Sequence, residues 1–381
     1  MKRAEYGAEH ELFRHMVGAF LAKEVVPRYS DFVRSGIVDR SVFREAGALG
    51  LLAMMAPEEY GGDGVDDFRF SVVLQQEAAR AWVAPAVLGM SLQADICLPY
   101  FLECANAEQR ARWLPRIASG EAVTAIAMTE PGAGSDLAGI RTKAVRDGDT
   151  YIVDGAKTFI TNGVNADLVI TVVRTGPHPH RGLSLLVVER DTPGFRRGTP
   201  LHKVGMHAQD TAELFFTDAR VPAANLLGAE GAGFAALVRN LPRERLSIAA
   251  AGLAQAAAVL DRTLAFVRER QAFGGPLIDL QSVRFRLAEL VTEVDVAQAF
   301  LDRCVDELNA GRLTPVDAAK AKWWCTELQG RVVDSCVQLH GGMGYMLENP
   351  VAQAWIDGRV SRIYAGTTEI MKEIIGRSLV R

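Results

Sequence analysis

The sequence predicts a multi-domain α+β protein, in which an N-terminal helical domain and a C-terminal helical bundle flank a middle β domain. Apolar residues recur at helical spacing from Glu9 to about Ser119, short β-rich segments follow from Glu121, and the helical period returns after Gly233. With 381 residues, of which 49% are hydrophobic, the chain is long enough for two or three domains. We place the domains at residues 1–120, 121–228 and 229–381.

The first domain is predicted from its helical periodicity. The opening helix has one apolar face, and the breakers Pro27 and Gly36 separate it from the helices that follow. Because helices of this kind bury such a face against one another, we expect an all-helical domain. The apolar face of the opening helix consists of Phe13, Met16, Val17, Phe20 and Leu21.

The middle domain is predicted from a change of period. Short segments rich in β-branched and aromatic residues are separated by Gly, Pro, Asn and Asp, a pattern typical of strands joined by turns. The clearest segments are Tyr151 to Val153, Leu168 to Val173, Leu183 to Val188 and Glu213 to Phe216. A series of short strands predicts a barrel or a sandwich, and the residues alone leave both open.

The C-terminal domain is predicted from a long amphipathic helix and its successors. Such a helix needs partners, and short loops at Gly274 to Pro276 and Gly311 to Pro315 connect it to further helices. The pattern predicts an antiparallel bundle. The apolar face of the long helix is formed by Leu246, Ala250, Leu253, Ala257, Leu260, Leu264 and Val267.

Charge and composition limit the classes of function. The net charge of −4 comes from 42 basic and 46 acidic residues, so no whole-molecule field favours binding to nucleic acid. The longest apolar stretch, Leu246 to Leu260, is shorter than the roughly 20 residues of a membrane span, so we expect no span. The 5 cysteines form no C-x-x-C pair, which predicts reduced thiols and a cytoplasmic location. No cluster of Cys and His has the spacing of metal ligands, so we predict no metal site.

A glycine-rich loop is the first candidate binding segment. Residues 128–136 read Met-Thr-Glu-Pro-Gly-Ala-Gly-Ser-Asp. Glycine permits close backbone approach, while Thr129 and Ser135 can donate hydrogen bonds to a ligand. The loop is not the dinucleotide fingerprint G-x-G-x-x-G, and no βαβ unit surrounds it. On its own, a tight turn between strands explains the segment equally well.

A second candidate lies at the end of a strand, where residues 159–163 read Phe-Ile-Thr-Asn-Gly. Phe159 and Thr161 are two residues apart and therefore lie on the same face of the strand. The ring could pack on a flat ligand, and the hydroxyl could bond its edge. A core phenylalanine and a strand-end threonine would explain the same residues.

Two helix ends provide the remaining candidates. Residues 268–274 read Arg-Glu-Arg-Gln-Ala-Phe-Gly, and residues 338–345 read Gln-Leu-His-Gly-Gly-Met-Gly-Tyr. Arg270 could bind a pyrophosphate, and the glycines could let a nucleotide approach the backbone. Cations and glycines at helix ends also have a purely structural explanation as caps.

Taken together, in this order and at these separations, the four segments resemble the acyl-CoA dehydrogenase family. The resemblance covers nearly the whole chain and includes Ile-Tyr-Ala-Gly-Thr-Thr-Glu-Ile at residues 363–370. Residues 201–203, 208–216 and 241–246 are most similar to the long-chain type. The resemblance implies a middle β-barrel, a C-terminal four-helix bundle, FAD between the two, and a homotetramer built as a dimer of dimers. It also implies acyl-CoA as substrate and an electron-transferring flavoprotein as electron acceptor.

The resemblance implies positions for cofactor and substrate. Phe159 packs near the isoalloxazine, and Thr161 bonds its N5 edge. The other implied FAD contacts are Met128, Thr129 and Ser135, then Arg270, Phe273, Gln281, Gln338, Gly341 and Gly342 across a subunit boundary, with Thr367 and Glu369 at the other end. The implied substrate contacts are Ser135, Arg245, Tyr364 and Gly366. Because Tyr364 is bulky and crowds a branch at the β carbon, we expect straight acyl chains. Medium to long chains are expected from the similarity to the long-chain type.

The catalytic base is where the sequence departs from the common family pattern. Many members carry a glutamate between the Tyr and Gly of Y-E-G-T, whereas this chain has Ala365 there. The long-chain and isovaleryl types also lack that glutamate, and the resemblance implies a base on a bundle helix, at Glu244. A carboxylate in a dry pocket suits α-proton removal because desolvation raises its proton affinity. The alternative is a carboxylate at the start of a helix, stabilised by the helix dipole or by a neighbouring arginine. The backbone N–H of Ala365 can still polarise the thioester carbonyl.

The sequence therefore predicts an FAD-dependent oxidoreductase that converts acyl-CoA to trans-2-enoyl-CoA in fatty acid β-oxidation. Two alternatives keep the same fold. One is an oxygen-using acyl-CoA oxidase or flavin monooxygenase, and the other is a non-catalytic scaffold that binds acyl-CoA. Ala365 motivates the scaffold alternative, because this position carries the catalytic glutamate in many family members and has no carboxylate here.

Overall fold

The N-terminal part of the chain is helical. The structure, a computed structural model, describes residues 6–380, so the outermost residues of the first and third predicted domains lie outside it. Phe13, Val17 and Phe20 are buried on the first helix, which agrees with the predicted apolar face. The helices of this part are α1 Ala8–Phe20, α2 Tyr29–Ser35, α3 Arg40–Ala48, α4 Arg69–Arg80, α5 Ala84–Ser91, α6 Leu98–Cys104 and α7 Ala107–Ala118.

A π-helical segment, Leu92–Cys97, joins α5 to α6 without a break. It buries Asp95, whose Oδ1 accepts a hydrogen bond from Ser71 at 2.6 Å and whose Oδ2 accepts one from Ser247 at 2.7 Å. Ser71 lies on α4, and Ser247 belongs to the C-terminal part of the chain. The π turn, a feature found often at functional sites, therefore fixes α6 against the C-terminal helices.

The middle of the chain forms a mixed sheet, in which eight strands are described. Their order is β6-β7-β3-β2-β4-β5-β8, and β1 pairs in parallel with β4. Side chains from β1 to β7 meet in one buried cluster, so the sheet curls around its own core as a barrel does. The strands are β1 Thr124–Ala127, β2 Lys143–Asp147, β3 Thr150–Thr161, β4 Leu168–Arg174, β5 Leu183–Glu189, β6 Phe195–Arg197, β7 Thr211–Pro222 and β8 Leu226–Leu227.

The strands β4 and β5 are buried on both faces. One face lies in the core of the sheet, and the other packs on α6 and α7, where Ile170 and Val172 join the cluster of Phe101 and Trp113. Double burial explains why these two strands are nearly continuous apolar runs in the sequence rather than alternating ones.

The pairing of β3 with β7 contains two register shifts, and one of them changes the orientation of Phe159, a predicted site residue. The register shifts between Lys157 and Ile160, and Phe159 has a φ of 58°. Lys157 and Thr158 are both buried, whereas the Phe159 ring is 68% exposed. A β-bulge of this kind turns a side chain away from the regular alternation, and such bulges are frequent beside active sites. After the bulge Ile160 is buried and Thr161 is half-buried, and the shared face of Phe159 and Thr161 stays a prediction.

The C-terminal part is a helical bundle around α8. The stacked rings of Phe266 and His340, 4.2 Å apart, bring the C-terminal ends of α8 and α10 together, so these two helices run parallel with α9 returning between them. Glycine permits their close approach, because a Cβ at Gly252 would lie 3.1 Å from Oε1 of Gln329. The elements are α8 Gly233–Glu269, the short strands β9 Gln271–Ala272 and β10 Gly275–Pro276, α9 Gln281–Asn309, α10 Pro315–His340, α11 Pro350–Gly358 and α12 Thr368–Leu379.

Polar contacts join the three parts in pairs. Each contact places a charged side chain of one part against a polar group of another, which fixes their relative positions better than apolar contact alone. Arg40 Nη2 donates to Asp167 Oδ2 at 2.6 Å, Arg69 Nη2 donates to Asp306 Oδ1 at 2.6 Å, and the Met206 backbone N–H donates to Asp357 Oδ1.

The predicted fold class, helical at both ends with a β domain between, is confirmed, but one boundary was wrong. We placed Glu244 at the start of a helix, whereas α8 begins at Gly233 and runs through Pro242. Packing along α8 outweighs the single hydrogen bond that a proline removes from a helix. Glu244 therefore lies about three turns inside α8, beyond the reach of the helix dipole that the alternative explanation required.

Two helical stretches are long and apolar enough to match a membrane span by composition. They are Ala84–Cys104 and Gly233–Glu269, and 72% and 56% of their most apolar windows are buried inside the protein. Burial among other helices accounts for this composition, as it does in the core helices of many globular proteins.

Candidate active site

A buried carboxylate lies between α6 and α8. Glu244 is 2% exposed and Tyr100 is fully buried, and the Tyr100 hydroxyl donates a hydrogen bond to Glu244 Oε1 at 2.7 Å. Burial raises the pKa of Glu244 to about 7, although the hydrogen bond from Tyr100 and the charge of Arg245 act in the opposite direction. A carboxylate that titrates near neutral pH can accept and release a proton under ordinary conditions, as a general base must.

The neighbouring arginine connects this carboxylate to the turn at residues 364–367. Arg245 is buried, and its Nε has no hydrogen-bond partner among residues 6–380. A Cβ added at Gly366 would lie 3.9 Å from Arg245 Nη2, so the turn approaches the arginine closely. Arg245, the residue after Glu244, therefore lies against the turn that contains Ala365, although the two segments are far apart in the sequence.

The turn itself has a constrained backbone. Ala365 has a φ of 51° and Gly366 a φ of 98°, and an alanine in the left-handed region is uncommon. Within the described part of the chain, the Ala365 N–H donates no hydrogen bond. An unpaired backbone N–H of this kind is free to donate a hydrogen bond to a carbonyl group and polarise it.

A buried lysine also holds this turn. Lys322, on α10, is fully buried and donates a hydrogen bond from Nζ to the Gly366 carbonyl oxygen at 2.7 Å. Burial and the charge of Arg245 lower the pKa of Lys322 to about 8. This charge-assisted hydrogen bond stabilises the constrained turn.

The other predicted residues of this segment lie around the turn. Tyr364 is half-buried. The Thr367 hydroxyl oxygen accepts a hydrogen bond from the Ile370 N–H at 3.4 Å and caps α12. Glu369 is exposed in the first turn of that helix, where a carboxylate is favourable. The contact seen for Thr367 is therefore a helix cap, and its predicted cofactor contact remains a prediction.

The glycine-rich loop is anchored by an ion pair that the sequence analysis did not identify. Lys157 Nζ lies 2.8 Å from Glu130 Oε1, and both side chains are buried. Lys157 also donates to the Met128 carbonyl oxygen at 3.0 Å, and the Thr158 N–H donates to the Thr129 carbonyl oxygen at 2.9 Å. The base of the loop is therefore fixed to strand β3, next to the bulge.

The tip of the loop is open. A Cβ added at Gly132 or Gly134 would meet no atom within 4 Å, and Ser135 is exposed. The Phe159 side chain, on the adjacent bulge, is also exposed, while Thr161 is half-buried. An exposed aromatic ring on a constrained backbone, beside a glycine-rich loop, fits a flat ligand that would cover it.

The FAD contacts that are predicted across a subunit boundary lie far from Glu244 on this chain. At about 1.5 Å per residue along α8, Arg270 is roughly 40 Å from Glu244. These contact residues are exposed. Phe273 is 92% exposed, and its backbone φ is 53°. These residues surround the helix ends that meet at Phe266 and His340, where a cavity of about 480 Å³ opens. The set consists of Arg270, Phe273, Gln281, Gln338, Gly341 and Gly342.

Three family models together match almost the whole chain. The N-terminal domain of acyl-CoA dehydrogenase matches residues 7–121, the middle domain matches residues 125–219, and the C-terminal domain matches residues 231–380. The chain belongs to the acyl-CoA dehydrogenase family. It is therefore an oxidoreductase, and FAD is its cofactor.

Individual relatives agree with the family models. The long-chain specific acyl-CoA dehydrogenase of Sus scrofa mitochondria is 44% identical over 99% of this chain and 88% of that protein. A crystal structure of an acyl-CoA dehydrogenase from Geobacillus kaustophilus has a TM-score of 0.97 at 49% identity, covering 99% of this chain and 100% of that chain. A glutaryl-CoA dehydrogenase from Mycobacterium smegmatis, solved with FADH2, has a TM-score of 0.91 at 27% identity, covering 98% and 95%.

The described residues fit the flavin of this family. The open glycine-rich loop and the exposed Phe159 ring provide space and a packing surface for the isoalloxazine. The distance along α8 means that Arg270 and its neighbours cannot share one flavin ring with Glu244 of the same chain. They fit the predicted contacts across a subunit boundary, as the resemblance implies.

The ion pair between Glu130 and Lys157 allows a test of loop anchoring. Although burial alone would raise it, the pKa of Glu130 is lowered because Lys157 and backbone N–H groups stabilise the carboxylate. Lys157→Met leaves this carboxylate without its cation, which costs about 3 to 5 kcal/mol of unfolding free energy. Urea denaturation followed by tryptophan fluorescence measures the loss.

The matched control is Lys143→Met on the neighbouring strand. Lys143 forms an exposed pair with Asp154 at 3.5 Å, so its loss changes the unfolding free energy by less than about 1 kcal/mol. Equal losses for the two variants would contradict the anchoring role of Lys157.

Proposed function

We propose that the chain removes an α proton and a β hydride from acyl-CoA thioesters and releases trans-2-enoyl-CoA, with Glu244 as the base. The observation that carries the proposal is the buried Glu244, joined through Arg245 to the constrained turn at Ala365. No carboxylate stands in that turn, so Glu244 is the group that supplies the missing base.

The reaction follows from the chemistry of these groups. The Ala365 N–H donates a hydrogen bond to the thioester carbonyl oxygen, which makes the α proton more acidic. Glu244 accepts that proton, because its raised proton affinity matches the task at neutral pH. Bound FAD supplies the acceptor for the hydride from the β carbon. Burial of Glu244 keeps water away from the carboxylate that accepts the proton.

The remaining site residues are proposed to bind cofactor and substrate. Ser135, Arg245, Tyr364 and Gly366 face the thioester, and Tyr364 favours a straight chain over a branched one. The flavin contacts are Met128, Thr129, Ser135, Phe159 and Thr161, with Thr367 and Glu369 at one end and Arg270, Phe273, Gln281, Gln338, Gly341 and Gly342 contributed by a second copy.

Substrates of medium to long chain length are proposed from a cavity and from similarity. A cavity of about 400 Å³ lies between α6, α8 and the loop after α9, and Pro99 and Asn240 contribute to its wall. Pro99 precedes Tyr100, and Asn240 lies one helical turn before Glu244, so sequence neighbours of both residues line this cavity. The similarity to a long-chain specific enzyme supports the same substrate range.

The partners and location are proposed from the family resemblance, the exposed apolar residues and the cysteines. Electron-transferring flavoprotein is the proposed acceptor, as the family resemblance implies. A homotetramer, a dimer of dimers, is supported by large apolar residues exposed on the bundle end, including Phe273, Tyr345 and Leu347. A cytoplasmic location for β-oxidation is supported by five cysteines that are all free thiols.

The proposed base is tested by Glu244→Gln, which removes the proton acceptor and keeps the shape of the side chain. We expect a folded, yellow protein whose flavin absorbance no longer bleaches with acyl-CoA, a rate loss of about 10³-fold. Stopped-flow absorbance at the flavin band measures the rate. Asp261→Asn, an exposed carboxylate change on the same helix, serves as the control and bleaches normally. Retained bleaching in Glu244→Gln would refute the assignment.

The pH dependence of the reaction follows from the raised pKa of Glu244. The base works only when ionised, so kcat/KM is low below the pKa and rises with pH to a plateau. The midpoint lies at about 7. Steady-state assays with an artificial electron acceptor between pH 5.5 and 9 measure the profile. A profile that is flat over this range would show that the group titrates as an ordinary carboxylic acid.

The acceptor is tested separately. A dehydrogenase reduced by acyl-CoA reoxidises slowly in air, whereas an oxidase forms hydrogen peroxide at the rate of substrate consumption. Peroxide measured in the absence of any other acceptor therefore distinguishes the proposed function from the oxygen-using alternative.

A further inference from the structure

The hydrogen bond to the proposed base comes from a different part of the chain. Tyr100 lies on α6 in the N-terminal part, and Glu244 lies on α8 in the bundle. Among residues 6–380, the Tyr100 hydroxyl is the one group that donates a hydrogen bond to the Glu244 side chain. It binds Oε1, so Oε2 remains available to receive a proton.

A second contact fixes the same two helices against each other. Asp95, in the π turn just before α6, accepts a hydrogen bond from Ser247, one helical turn beyond Glu244. The two contacts, Asp95 with Ser247 and Tyr100 with Glu244, run side by side between the same segments. Two such contacts define both the separation and the register of the helices, so the hydroxyl of Tyr100 has a defined position.

The Tyr100 ring is held as firmly as its hydroxyl. It is fully buried, within the cluster that contains Phe101 and Trp113, whose rings are 5.6 Å apart. A side chain confined in this way has no other rotamer available without opening the core. The donor is thus in place before substrate binds, which is the preorganisation that a catalytic constellation requires.

We propose that Tyr100 is a positioning residue of the dehydrogenation: its hydroxyl holds Oε1 of Glu244 and thereby directs Oε2 towards the α carbon of the thioester. The proposal rests on Glu244 being the base. Tyr100 neither touches the reacting atoms nor exchanges a proton in the reaction. It acts through the carboxylate that it orients.

The charged and titratable groups around Glu244 set the expected response. Burial raises the pKa of Tyr100 far above its ordinary value, so the hydroxyl remains a donor throughout the working range. Burial likewise raises the pKa of the Cys97 thiol, which remains neutral. The titratable and charged groups that face this pair are Cys97 in the π turn, Cys104 on α6 and Arg245 on α8.

The sign of the effect follows from these neighbours. The hydrogen bond from Tyr100 stabilises the ionised form of Glu244 and lowers its pKa, against the larger effect of burial. Removal of the hydroxyl therefore makes Glu244 a carboxylate that is protonated up to a higher pH. A purely structural role for Tyr100 would leave the midpoint of the pH profile where it is.

The test is Tyr100→Phe in the FAD-loaded protein, assayed as kcat/KM against pH. We expect the midpoint to move upwards by about one pH unit, with a loss of about tenfold at pH 6. Loss of orientation lowers kcat at every pH, whereas KM for acyl-CoA is unchanged. A midpoint and a kcat equal to those of the unmodified protein would overturn the proposal.

Tyr151→Phe is the matched control. Tyr151 is also buried and donates a hydrogen bond to a carboxylate, Glu230 Oε2 at 2.5 Å, but it lies on β3 in the middle domain. The same chemical change there leaves the pH profile unaltered. An equal shift in both variants would show that general loosening of the fold moves the profile, and the proposal would fail.

A second measurement keeps the proposal testable if Tyr100→Phe does not fold. A ring-fluorinated tyrosine at position 100 retains the ring and makes the hydroxyl a stronger donor, so the midpoint moves to lower pH. No shift would overturn the positioning role.

Glu244→Gln distinguishes a failure of the proposed function from a failure of the positioning role of Tyr100. If Glu244→Gln turns over normally, the proposed function itself fails. If that variant is inactive and Tyr100→Phe retains the original profile, the positioning role alone fails.

Discussion

A carboxylate that is removed from water holds its proton more tightly, and Glu244 is 2% exposed at the junction of α6 and α8. The rest of the site depends on this burial. The carboxylate lies between the N-terminal helices and the bundle, and the hydrogen bonds from Tyr100 to Glu244 and from Ser247 to Asp95 join these two parts beside it. Without that enclosure, Glu244 would be an ordinary surface carboxylate with too low a proton affinity for the proposed reaction.

Two buried glutamates of this chain show how neighbours decide the outcome of burial. Glu130 faces the charge of Lys157 and two backbone N–H groups, so its pKa is lowered despite burial. Glu244 has a tyrosine hydroxyl and a neighbouring arginine, which are insufficient to offset its deeper burial, so its pKa is raised. The first therefore stays ionised and anchors a loop, whereas the second can exchange a proton near neutral pH.

Local patterns predicted most of the fold and part of the site. Helical and strand periods placed the three domains, because each element buries one face against its neighbours. The prediction that Glu244 lies at the start of a helix was wrong. Pro242 is a helix breaker by its local chemistry, and packing along α8 outweighs this effect. Tyr100 and Lys157 were missed because their partners lie 144 and 27 residues away, and no spacing rule connects such positions. The motif that contains Glu130 was recognised, but its contact with Lys157, two residues before the Phe159 motif, was not.

The central claim is that Glu244 removes the α proton. It is tested most directly with a thioester that carries sulfur in place of the β methylene group, which can lose an α proton but no hydride. In D2O, mass spectrometry follows exchange of the α hydrogens of this compound when it is bound to the FAD-loaded protein. The account predicts rapid exchange with the unmodified protein and none above background with Glu244→Gln, at equal binding. Equal exchange in both proteins would contradict it.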